Sequence, residues 1–152
     1  MTFLKAIICA ATLVVSFAGT APAQQGNRLI QIEEAWVRIS KDNVAVASAY
    51  FTILNKSEED DYLIGVTSSV SERALLQEMR IENFKAKYNT ISKLSIGAIE
   101  RQKLRPSGYQ VTLEGLKRPL RIGENVQLTL TFERAGRIEI VANVSNQMLG
   151  NR

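Results

Sequence analysis

The chain has 152 residues, a formal net charge of +4, no histidine and one cysteine, Cys9. The missing histidine excludes Ser-His-Asp hydrolysis and imidazole metal sites. The charge is too mild and too evenly spread for a nucleic-acid binder.

In chain order, residues 1–23 read as a secretory signal. "MTFLK" supplies a short basic start, "AIICAATLVVSFAG" an apolar run below the roughly 20 residues of a membrane span, and "APA" a small-x-small cleavage site. The mature chain is therefore expected to begin at Gln24, with no membrane span. Ile8 before Cys9 is not the small residue that lipid attachment wants, so Cys9 leaves with the signal. The remaining 129 residues (152 less 23) contain no disulfide and no thiolate. Their 18 basic residues (19 less Lys5) stand against 15 acidic ones, and a chain of this length fits a single domain.

Short runs of period two follow, separated by polar or Gly/Pro-bearing turns. Strands are expected over 29–39, 44–55, 61–69, 74–82, 87–91, 98–104 and 109–113, and over the clearer runs "NVQLTLTF" (125–132) and "RIEIVANV" (137–144). "ERAGR", with Gly136, joins the last two as a tight hairpin. "SSVSERALLQEM" (68–79) has room for a helical turn, while no stretch sustains a helical apolar period. Trp36 and Tyr50 are expected in or against the core. Eight or nine strands at this spacing predict an all-β sandwich or barrel over 24–145, with a loose tail at 146–152.

Four segments in order, "IEEAWVRIS" (32–40), "ASAYFTILN" (47–55), "EDDYLIGVTSSVSERALLQE" (59–78) and "GYQVTLEGLKRPLRIGENVQLTLTFERAG" (108–136), resemble the periplasmic copper chaperone family PCu(A)C. The resemblance implies a single all-β, cupredoxin-like (immunoglobulin-like) Greek-key sandwich exported to the periplasm. It also implies a copper site similar to a His, a Met eleven positions later, and a His-x-Met pair on one strand. Residues two apart on a strand share a face, and imidazole with thioether suits Cu(I). Laid onto this chain, the four positions fall on Gln77, Tyr88, Gln110 and Thr112.

None of these is a Cu(I) ligand of useful strength: an amide oxygen and a hydroxyl are hard donors, and a phenol stays protonated at neutral pH. Met79 shares the strand face of Gln77 and is the one soft atom expected nearby, although core filler is its ordinary role. Met148 lies in the tail. The four polar residues either hydrogen-bond to one another where metal ties the strands in the family, or form an exposed patch with no selected contact.

Other constellations are weaker. "SEEDD" (57–61) reads as a solvated loop rather than a calcium site. Lys103, Arg105, Lys117, Arg118 and Arg121 flank the 109–113 strand, either as a rim for an acidic partner or as a solubilising surface. The expectation is a non-enzymatic protein with no cofactor and a degenerate copper site, partnering an envelope protein such as a respiratory-oxidase subunit or assembly factor. The alternative is a copper chaperone with Cu(I) held in a rebuilt site involving Met79.

Overall fold

The computed structural model describes residues 29–41 and 43–146. The expected signal at 1–23, Cys9, and the tail beyond Asn146 with Met148 lie outside the described residues. Ten strands run in chain order: β1 (Ile30–Ile39), β2 (Val46–Asn55), β3 (Asp61–Ser68), β4 (Ser71–Glu82), β5 (Lys85–Thr90), β6 (Leu94–Ile96), β7 (Arg101–Lys103), β8 (Tyr109–Leu116), β9 (Asn125–Phe132) and β10 (Gly136–Val144). There is no helix among the described residues.

Hydrogen bonds join the strands in the order β5-β4-β8-β2-β1-β10-β9-β3-β6, with β7 on β2. Only Ser69 and Val70 separate β3 from β4 in the chain, yet the two strands sit six places apart in that order. The sheet must therefore curl back on itself. Val111 and Leu113 of one half and Leu128, Leu130 and Phe132 of the other meet in a single core, each at most 2% exposed. This is the expected all-β, cupredoxin-like layering, built from one continuous sheet.

The alternation on β9 sends Val126, Leu128, Leu130 and Phe132 inward, as the sequence predicts. Gly136 opens β10 at a φ of 74°, where a residue without Cβ fits, and pairs with Phe132 across the hairpin. Two expectations need correction. The 68–79 segment holds no helical turn: after a two-residue turn it becomes β4, whose Leu76 enters the core while Gln77 pairs with Gln110 on β8. The 98–104 run opens with a turn at Ala98 and Ile99 and is strand only over the three residues of β7, and the short β6, with Leu94 and Ile96 buried, is an additional strand.

Trp36 and Tyr50 are buried as expected, and the face they take matters for function. They lie outside the main core cluster. The register of β1 against β2 slips by one residue between Glu33 and Trp36, and Glu34 carries a φ of 52°. Such a bulge changes which side chains face which way. Ahead of it Ile30 and Ile32 point to the core; beyond it Val37 does, and Trp36 and Arg38 turn to the opposite face. Uninterrupted alternation would have placed Trp36 with the two isoleucines.

The 57–61 segment is solvated at Glu58, Glu59 and Asp60, as expected, and buried at its last residue, which opens β3. Asp61 is 3% exposed, and its carboxylate accepts the backbone N–H groups of Tyr62, Arg134 and Ala135 at 2.7–3.0 Å. It thereby fixes the start of β3 against the β9–β10 turn. Asn55, fully buried, donates to the carbonyls of Glu59, Ile96 and Gly97.

Candidate functional site

On the face away from the core, β1, β2, β8 and β4 place their alternate residues in cross-strand rows. Arg38 pairs with Ser48, Ser48 with Thr112, and Thr112 with Leu75; Trp36 pairs with Tyr50, and Gln110 with Gln77. The odd residues of β8 are core-facing, so Gln110 and Thr112 necessarily share this second face.

The side chains form one directed chain of hydrogen bonds. A guanidinium N–H of Arg38 donates to the Tyr50 hydroxyl at 2.8 Å. That hydroxyl donates to Gln110 Oε1 at 3.2 Å. Gln110 Nε2 donates to Thr112 Oγ1 at 3.0 Å, and Thr112 donates to Gln77 Oε1 at 2.6 Å. Tyr50, Gln110 and Thr112 are all at least nine-tenths buried, so each of these bonds replaces water that the group has given up.

Aromatic packing holds the chain in place. The rings of Trp36 and Tyr50 lie 4.7 Å apart at 33°, and the Arg38 guanidinium sits 5.4 Å from the Tyr50 ring centre. Burial pushes the Tyr50 phenol above its ordinary value, opposed by a hydrogen bond with Ser48 and by the Arg38 charge. The phenol is therefore protonated at neutral pH and able to donate to Gln110.

In front of this chain lies a cavity of about 720 Å³, lined by Arg38, Ser48, Gln77, Tyr88, Gln110 and Thr112 together with Ile39, Ser40, Lys41, Val46 and Asn146. The structure thus brings together the four positions assigned from the resemblance. Tyr88, on edge strand β5, is the outermost at 49% exposure. Met79 is half-buried and pairs in register with Tyr88, but it does not line the cavity.

The donor set does not suit Cu(I). It offers amide, hydroxyl and phenol oxygens, which are hard, and a guanidinium cation at one end. Among the described residues no three of His, Cys, Asp and Glu gather as a metal cluster.

Arg38, Tyr50 and Ser48 were not reached by sequence reasoning about the site. A signal existed: Arg38 interrupts the apolar run "AWVRI", two residues from Trp36. Of the basic rim, Lys103 pairs with Glu34, Arg118 with Glu124, and Lys117 donates to the Ser69 carbonyl, so three of its five cations are engaged locally.

A family model, "Putative lipoprotein LpqE-like", matches residues 30–144. The chain belongs to the LpqE-like family. "Putative lipoprotein Lxx21020" of Leifsonia xyli subsp. xyli is 28% identical over 125 residues, covering 82% of this chain and 72% of that protein. Two solved structures are similar throughout the domain. The copper-bound PCuAC domain from PmoF2 is 25% identical with a TM-score of 0.65, over 78% of this chain and 94% of that domain. The solution structure of CuI-DR1885 from Deinococcus radiodurans is 26% identical with a TM-score of 0.66, over 86% and 87%. The likeness to PCu(A)C domains drawn from the sequence is therefore borne out for this LpqE-like chain.

Proposed function

We propose that this LpqE-like protein is an exported, non-enzymatic binding protein of PCu(A)C type whose ligand positions do not hold Cu(I). It serves as a binding or assembly partner in the envelope, in copper or respiratory-oxidase maturation. The single observation that carries the reading is the hydrogen-bond chain from Arg38 to Gln77. It engages Gln77, Gln110 and Thr112 with one another and sets a permanent cation at the site. A second cation there would meet charge repulsion as well as hard donors. Export rests on the signal pattern of residues 1–23 and on the lipoprotein name of the family.

The rebuilt-site alternative has one supporting observation, the half-buried thioether of Met79 opposite Tyr88. A Met79→Leu variant separates the two readings. If copper is held through that sulfur, the substitution lowers Cu(I) retention against a chelator. On the proposed reading, both proteins surrender Cu(I) equally and completely.

A further inference from the structure

We propose that the cavity in front of the Arg38–Gln77 chain is an anion site that takes a carboxylate attached to a compact apolar group. The inference deepens the reading above by naming a ligand class for the same site. Arg38 is the one arginine among the described residues that is not exposed. No carboxylate lies within ion-pair distance of it among the described residues, whereas Arg73, Arg80, Arg101, Arg118 and Arg134 each have one. Among the described residues none that lines the cavity is acidic, and Lys41 adds a second cation to the lining.

The direction of the chain points the same way. The oxygens of Tyr50, Gln110, Thr112 and Gln77 each already accept a bond from within it, and the Tyr50 and Thr112 hydrogens are used. Beside the second lone pairs of these oxygens, several donors stay unused: the remaining guanidinium N–H groups at one end, the Gln77 NH2 at the other, and one hydrogen of Gln110 between them. A wall with spare N–H groups and a cation fits an anion. The planar guanidinium fork matches a carboxylate, and Ile39, Val46 and the Tyr88 ring supply apolar surface beside it. A cavity of about 720 Å³ is of small-molecule size. The carboxylate is either that of a free acid or the C-terminus of a peptide.

The test is NMR titration of the exported protein with sodium benzoate and, in parallel, with benzamide, its neutral counterpart. The expected result is saturable movement of the Ser48, Gln77 and Thr112 amides with benzoate and none with benzamide. N-acetyl-Gly-Phe with a free or amidated C-terminus asks whether a chain terminus also enters. Movement with the free form alone assigns the peptide source, and benzoate movement alone assigns free acids. Arg38→Met is expected to weaken benzoate about tenfold or more, the worth of a charge-assisted pair. Lys41→Gln, at an exposed residue, keeps the test decisive should Arg38→Met fail to fold, and is expected to weaken binding by a smaller factor. Equal movement with benzoate and benzamide, inorganic phosphate binding in place of benzoate, or no saturable movement with any carboxylate would overturn the proposal. None of these outcomes depends on copper, so this claim and the absence of Cu(I) binding fail separately.

Discussion

The Arg38 guanidinium both donates to the Tyr50 hydroxyl, at 2.8 Å, and lies over the same ring, 5.4 Å from its centre. One residue of β1 thereby fixes the rotamer and the hydroxyl direction of the fully buried Tyr50 on β2. Through Gln110 and Thr112 the contact extends across β8 to Gln77 on β4, so three strand pairs share one polar spine.

Breaking the spine at Tyr50 makes a pH-dependent prediction. Burial raises the Tyr50 pKa above its value of 10.0 in an unfolded chain. The native state then holds the phenolic proton more tightly than the unfolded one. Its contribution is complete below about pH 10 and is lost as pH rises from there through the native pKa. Tyr50→Phe should cost about 1–3 kcal/mol at neutral pH, because Gln110 and Arg38 lose their shared partner in a buried setting. Its stability should also fall less steeply than that of the unmodified protein above pH 10. Urea unfolding at pH 7 and at several alkaline values checks both; parallel pH profiles would contradict the assignment.

Asp61 gives a second prediction, away from the cavity. Its carboxylate answers three backbone N–H groups where β3 meets the β9–β10 turn. Asp61→Ala strands these donors and should cost on the order of 3 kcal/mol. Asp61→Asn keeps one acceptor oxygen and should cost less. Thermal denaturation followed by circular dichroism orders the three proteins, and a neutral Asp61→Ala would refute the bracing role.

Export makes a third. Mass spectrometry of material recovered from the cell envelope should find an N-terminus near Gln24, with residues 1–23 and Cys9 removed. A lipid-bearing Cys9 at the mature terminus would instead follow the lipoprotein name of the family and contradict the signal reading.

The β-sandwich was legible because its alternation is strong. In "NVQLTLTF" every second residue is apolar, and one face had to be buried. The positions Gln77, Gln110 and Thr112 were legible through resemblance and strand parity, since residues two apart on β8 cannot separate. Arg38 was not, because the bulge at Glu34 reverses the parity of β1 and nothing in "IEEAWVRI" announces the extra residue. Tyr50 was not, because every residue of β2 from Ala49 to Ile53 is buried and the sequence does not say which of its two faces carries the site. The 68–79 segment forms β4 and not a helical turn because β8 supplies a pairing partner for every residue from Arg73 to Glu78. Local pattern could not see that partner.

The most direct measurement is anaerobic competition for Cu(I) between a chromogenic chelator and two proteins, the unmodified chain and the fourfold variant Gln77→His, Tyr88→Met, Gln110→His, Thr112→Met. The four positions surround one cavity on one sheet face, so the variant should withhold one Cu(I) from the chelator while the unmodified protein withholds none. Tight, stoichiometric copper in the unmodified protein would contradict the account.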